Sequence, residues 1–356
     1  MGASSGIGRA TALAFAERGA AVVVSARNTD GLASLVNQIR MMGGEAMAVP
    51  ADVTDQKQVK QVAEQAYRQY GHLDTWVHLA GVSIYAPFEE TTPEEFKQVV
   101  DVNLVGQANG AWAALPFMKK SGGGTLIHVS SVEGKISLPY TSAYAASKHG
   151  VIGLIDALRL ELMKEKANVH VVNVMPASIN TPFFNKALTK LGVLPKGMPP
   201  IYDPDEVAQA IVEAAEHPER DVYAGGAGKL MAMNQKIAPK AMDAFLLKTA
   251  FEGQKTRQSK SSKAPNAVFE PIEGYNRVRG EFDKMGNRVT PGQGTSSPAA
   301  GGASIPWLLG VAGALIGAVY LASRNSRQQG NTPASAAGGV TPSPQRTSEY
   351  EPMRTP

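Results

Sequence analysis

The sequence predicts an α/β fold, a Rossmann-like doubly wound parallel sheet. Three observations carry this: a glycine-spaced turn runs straight into a helix, short apolar runs recur without clean alternation, and helices with recognisable ends separate those runs. Continuous apolar runs suit strands covered on both faces, and strand–helix alternation suits parallel crossovers of one hand.

The turn comes first. In MGASSGIGRA the glycines at 2, 6 and 8 leave room for a phosphate to approach the backbone, and the helix RATALAFAER follows directly. Its first N–H groups and its dipole favour an anion. The runs at 21–25, 45–49, 73–79, 125–130, 169–174 and 221–224 read as strands. Thr92, Pro93 and Glu95 make a cap, a first-turn proline and a capping-box acid, and Asp203, Pro204 and Glu206 repeat the device. Gly19 and Gly71 stand where helices stop.

The strand that normally precedes such a turn is missing from this sequence. Five or six apolar residues of a central strand are worth on the order of 10 kcal/mol, comparable to a whole domain's margin. The expectation is therefore that the natural chain starts upstream and that Met1 occupies an internal position.

Composition bounds the chemistry. The 356 residues are 43% hydrophobic, enough for a buried core, and there is no cysteine. The six histidines never approach a ligand spacing, so no metal site is expected. The formal charge of +4 does not gather into a nucleic-acid stripe, because acids and bases interleave through the first 250 residues. No cleaved signal peptide is visible. Residues 1–250 are read as the α/β catalytic domain and 251–304, rich in Ser, Pro, Gly and Lys, as a flexible linker. Residues 305–322, IPWLLGVAGALIGAVYLA, carry no charge and predict one transmembrane helix, with 323–356 a disordered tail. Gly313 and Gly317 form a GxxxG step that would let two such helices approach. An apolar interaction tail is the alternative.

The phosphate turn implies a dinucleotide held by Gly2, Ser4, Ser5, Gly6, Ile7 and Gly8. The next strand ends in Ser25, Ala26 and Arg27, with no carboxylate to read a ribose 2′-hydroxyl. A guanidinium there suits a 2′-phosphate, so NADP(H) is expected over NAD(H). Further on, Tyr144 and Lys148 lie four apart in a helical segment and share a face. A nearby ammonium favours an ionised phenol, which makes tyrosine usable for proton transfer.

With these residues the chain resembles the short-chain dehydrogenase/reductase family over residues 2 to about 225. GASSGIG is similar to that family's TGxxxGxG turn with Met1 at the threonine position, and YAASK matches its YxxxK pair. Ser131, Asn103 in DVNLVG, Asp52 and Val53 in DVTD, and PASINT at 176–181 fall where the family has its serine, asparagine, adenine-contacting turn and PGxxxT stretch. The resemblance implies hydride transfer between a nicotinamide and a carbonyl or secondary alcohol. Tyr144 would be the acid/base, Ser131 would bond the reacting oxygen, Lys148 would hold the ribose, and Asn103 would position a relay water. It also implies cofactor contacts from Ala80, Gly81, Pro176, Ile179 and Thr181. VHLAG at 77–81 departs from the usual NNAG; His78 is read as a satisfied buried histidine.

The apolar stretches YAPF, KISLPY and FFNKALTKLGVLPKGMPP predict a hydrophobic substrate. NADPH is intracellular, so the catalytic domain is expected on the cytoplasmic side of a membrane. A non-catalytic nucleotide-binding membrane scaffold and an NAD-dependent alcohol dehydrogenase stay open as alternatives, as does a homo-oligomer.

Overall fold

The computed structural model describes residues 1–288. Its strands are β1 (Val22–Val24), β2 (Ala46–Ala48), β3 (Thr75–His78), β4 (Ile84–Tyr85), β5 (Gly124–Val129), β6 (Val169–Pro176), β7 (Leu188–Thr189), β8 (Val193–Pro195), β9 (Asp221–Ala224) and β10 (Lys255–Ser259). The helices are α1 (Gly6–Glu17), α2 (Thr29–Met41), α3 (Gln56–Tyr70), α4 (Pro93–Val100), α5 (Gly106–Lys120), α6 (Ser142–Glu165), α7 (Phe183–Lys186), α8 (Pro204–Glu216), α9 (Gly226–Ile237) and α10 (Pro239–Gly253). All six strands expected from the apolar runs are present.

The parallel sheet comes in two pieces, β2–β1 and β3–β5–β6–β9. Met1 and Gly2 lie between them: the Met1 nitrogen donates to the Val77 carbonyl, the Leu79 N–H to the Met1 carbonyl, and the Gly2 N–H to the Ser25 carbonyl. Both faces of the larger piece are covered, which explains the unbroken apolar runs. Along β5, Leu126 enters a cluster with Val62 of α3 and Ala114 of α5, while Ile127 and Val129 enter the opposite cluster with Val207 and Ile211 of α8.

Caps hold the helix ends as the sequence implies. Thr92 and Glu95 close a reciprocal capping box on α4, and Gly71 ends α3 in a left-handed conformation with φ +79°. Asp203 caps α8 through the Asp205 N–H, but Glu206 does not complete a second box. Between α4 and α5 a single π-helical turn, Asp101–Val105, carries Asn103.

The segment expected to be linker from residue 251 differs in its described part. Gly253 ends α10, and β10 pairs antiparallel with β8. Residues 260–288 then run back over the domain as a strap. Val268 is fully buried and Phe282 is 2% exposed. Besides these buried side chains and the Arg279–Asp203 ion pair, backbone bonds tie the strap: Gly6 N–H donates to the Arg277 carbonyl, Ala267 N–H to that of Lys186, and Gly280 N–H to that of Asn180. Backbone pairing is blind to composition, which is why a Ser- and Lys-rich stretch can be built in. No helix among the described residues is long and apolar enough to cross a membrane. The expected span at 305–322 and the tail after it lie outside the described residues.

Candidate active site

One cavity of about 310 Å³ gathers the phosphate turn, the strand ends and the start of α6. Gly2, Ser4, Ser5, Gly6, Ile7, Gly8, Arg27, Asp52, Val53, Ala80, Gly81, Ser131, Tyr144, Lys148, Pro176, Ile179 and Thr181 all line it. Apart from the turn residues Gly2 to Gly8 leading into α1, and Tyr144 and Lys148 on α6, these residues lie at or after the carboxyl ends of strands, where an open α/β sheet places its ligands.

The turn is shaped for close approach. A side chain at Gly8 would put its Cβ 2.2 Å from the Gly2 carbonyl oxygen, and one at Gly2 would meet the Ala80 nitrogen at 2.7 Å. α1 starts at Gly6, whose own N–H is taken by the Arg277 carbonyl; the Ile7 and Gly8 N–H groups have no intrahelical acceptors and can serve an anion. A pyrophosphate therefore fits this cradle. Asp52 accepts from the N–H and hydroxyl of Thr54, which fixes the turn after β2.

Tyr144 sits in the first turn of α6, its ring centroid 5.8 Å from that of Phe183 and 5.4 Å from the Lys148 Nζ. Lys148, 3% exposed, donates to the Val129 carbonyl at 3.0 Å. Burial draws its amine down to about 8, with Glu133 pulling the other way. The phenol is pushed above its ordinary value by burial and then by the Glu133 carboxyl, while a Ser131 hydrogen bond opposes them. The sequence-based expectation that Lys148 lowers the phenol's pKa is thus outweighed by desolvation and a carboxyl. Ser131 itself caps a short turn, accepting from the Glu133 N–H at 3.0 Å.

Asn103 does not line the cavity. Its side-chain oxygen accepts from the Val82 N–H at 2.8 Å, and its amide donates to the Val82 carbonyl and the Ser147 hydroxyl. That amide clamps the segment after β3 to α6, behind the residues that touch the cavity. His78 is fully buried as expected but not satisfied: neither ring nitrogen has a partner among the described residues. Its pKa lies well below the ordinary value through burial first and then the N-terminal charge. Gly110 of α5 makes room for the ring, since a Cβ there would lie 2.3 Å from His78 Nδ1.

Two site residues escape sequence reasoning. Glu133 lines the cavity, accepts from the Thr141 hydroxyl at 2.7 Å, and has its carboxyl raised to about 7 by burial. In SSVEGK it reads as one more solvated acid, and only the fold of the loop reveals it. Lys186, at the end of α7, donates to the Ser5 hydroxyl at 2.6 Å from a distance of 181 residues in the chain. Nothing local could have signalled it. Arg27 is also differently engaged than the sequence suggests: it donates to the carbonyls of Phe269 and Ala267 at 2.6 and 2.8 Å, with Asp52 at 3.6 Å.

Comparison with known proteins bears on the fold and the family. The short chain dehydrogenase family model matches residues 1–191. An uncharacterized oxidoreductase of Bacillus subtilis, YxnA, is 36% identical over 273 residues, covering 76% of each chain. The 3-oxoacyl-[acyl-carrier-protein] reductase FabG of Thermotoga maritima is 37% identical over 216 residues, 59% of this chain and 86% of that one. Among solved structures, an alcohol dehydrogenase from the archaeon Thermococcus sibiricus, complexed with 5-hydroxy-NADP, superposes with a TM-score of 0.55 at 26% identity, covering 62% of this chain and 92% of that one. The chain belongs to the short-chain dehydrogenase family, as an oxidoreductase of hydroxyl or carbonyl substrates that uses a nicotinamide cofactor.

Proposed function

We propose that this protein is an NADP(H)-dependent oxidoreductase that interconverts a hydrophobic carbonyl compound and its secondary alcohol. The observation that carries the reading is the convergence of Ser131, Tyr144 and Lys148 on the cavity that also holds the phosphate turn. When bound, the cofactor supplies or accepts the hydride, and the protein's residues do the rest. Gly2, Ser4 to Gly8 and the start of α1 would hold its pyrophosphate, Asp52 and Val53 its adenine, and Pro176, Ile179, Thr181, Ala80 and Gly81 its nicotinamide end.

The Tyr144 hydroxyl passes its proton to the substrate oxygen in reduction and takes it back in oxidation. The Ser131 hydroxyl bonds the same oxygen and holds it against the phenol. A phenol kept above its ordinary pKa by burial is protonated at neutral pH, which suits the donor role in reduction. Lys148 places a positive charge beside the ring and offsets the negative charge left on Tyr144. Asn103 is a positioning residue through its bonds to Val82 and Ser147.

The hydrophobic substrate class rests on Tyr85, Leu138, Phe183, Phe184 and Met198, apolar walls of the cavity around Tyr144. A single-pass anchor at 305–322, with the catalytic domain facing the cytoplasm, would suit a lipophilic substrate and completes the proposal.

The test is consumption of NADPH with a panel of hydrophobic ketones and aldehydes. Tyr144→Phe is expected to lower turnover by roughly 10² to 10⁴-fold while leaving NADPH binding within about twofold. A variant with wild-type turnover would overturn the assignment.

A further inference from the structure

Lys186 places a lysine amine where the protein gives it no anion. Its Nζ is bonded to the Ser5 hydroxyl at 2.6 Å, and among the described residues no carboxylate reaches it. Burial first, and then the Arg27 guanidinium, draw that amine down to about 8. Both cations line the same cavity, and one residue, Ala267, is bonded to each of them.

The strap fixes both. Ala267 N–H donates to the Lys186 carbonyl at 2.8 Å, and the Ala267 carbonyl accepts from Arg27 Nη2 at 2.8 Å. Phe269 takes the other arm of the guanidinium at 2.6 Å. Arginine has five N–H donors, so two strap carbonyls leave others for a ligand. Ser5 caps no N–H of α1 with its side chain, so its hydroxyl serves Lys186 alone among the described residues.

Charge counting separates Lys186 from Arg27. Asp52 lies 3.6 Å from Arg27, so the two formal charges there sum to zero. The end of β1 taken alone is close to neutral, which would not distinguish a ribose phosphate from a ribose hydroxyl. Lys186 adds the uncompensated positive charge. The pyrophosphate has its own receptor in the N–H groups of α1, whereas Arg27 stands at the strand end where ribose is read.

We propose that Lys186 and Arg27 are the two arms of a receptor for the 2′-phosphate of NADP(H), that Lys186 is the arm that discriminates against NAD(H), and that strap residues Ala267 and Phe269 hold the arms in place. This rests on the nicotinamide-cofactor reading above and adds to it the residue that chooses between the two dinucleotides.

The probes are adenosine 2′,5′-bisphosphate and 5′-AMP, which differ only in the 2′-phosphate, titrated calorimetrically into the full-length protein. The wild type is expected to bind the bisphosphate more tightly. Lys186→Met is expected to weaken the bisphosphate by roughly tenfold or more, the loss of one charge-assisted bond, and to leave 5′-AMP within about twofold. Lys186→Gln, which keeps a bond to Ser5 without the charge, should show the same selective loss, and retained 5′-AMP binding reports that each variant is folded. Equal weakening of both probes, or no weakening of either, overturns the role of Lys186 while leaving the oxidoreductase reading intact. A wild-type protein that binds neither NADH nor NADPH overturns both.

Discussion

Replacing Glu133 by glutamine should make the ligand-free protein's stability less sensitive to pH, in a direction fixed by the site. The Glu133 carboxyl accepts from Thr141 at 2.7 Å, faces the catalytic phenol, and is raised from 4.5 to about 7, with burial the largest cause. In the unfolded chain it ionises near 4.5; in the folded protein it keeps its proton until about 7. The folded state therefore binds more protons across that interval, and stability conferred by this group, complete below 4.5, is lost as pH rises through 7. The separation corresponds to roughly 3 kcal/mol for a fully desolvated group, and less here because the carboxyl keeps some exposure. Glutamine retains an acceptor for Thr141 and cannot titrate. Urea denaturation of both proteins at intervals from roughly pH 5 to 8 should show the wild type losing stability relative to Glu133→Gln by about 2 to 3 kcal/mol, with the difference levelling off above neutrality. Parallel curves across that range would refute the argument, because they would mean that the carboxyl titrates alike in both states.

Gly110→Ala should destabilise the protein by about 1 to 3 kcal/mol, since the added Cβ would stand 2.3 Å from His78 Nδ1 and 3.0 Å from Trp76 Nε1; a thermal melt unchanged from wild type would mean that α5 shifts freely. Arg27→Gln removes the guanidinium from the carbonyls of Ala267 and Phe269 and should speed amide exchange in the strap by roughly tenfold or more, while β5 and β6 stay protected. Exchange that is unchanged in the strap would assign its anchoring to other contacts.

The central strands were legible because burial on both faces writes itself into sequence as Val, Ile and Leu without alternation. Helix ends were legible where a side chain closes them, as at Thr92. Tyr144 and Lys148 could be paired because residues four apart share a helix face, and Ser131 came only from the family resemblance; the structure brings all three to one cavity. What stayed hidden depends on distance in the chain. Lys186 meets Ser5, and Arg27 meets Phe269, only after the polypeptide has crossed the sheet several times. The strap was hidden for a different reason: many of its partners are carbonyl and N–H groups, which leave no trace in side-chain composition, and its buried residues Val268 and Phe282 stand singly in a polar stretch. The unpartnered nitrogens of His78 were invisible too, since a sequence shows that a histidine is enclosed but not what encloses it.

The strap also decides where this polypeptide can safely be cut or joined to a reporter. Composition turns hydrophilic near residue 250, and a shortened expression clone ending there would look harmless on paper. Such a cut would remove Val268 and Phe282 from their packing and leave Arg27, Asn28 and Asn180 without the groups they bond. The shortened protein would keep its parallel sheet, and so a near-normal far-ultraviolet spectrum, while its cavity lacked the wall formed by Ala267, Ile272 and Tyr275. A junction placed beyond residue 288 preserves every one of these contacts.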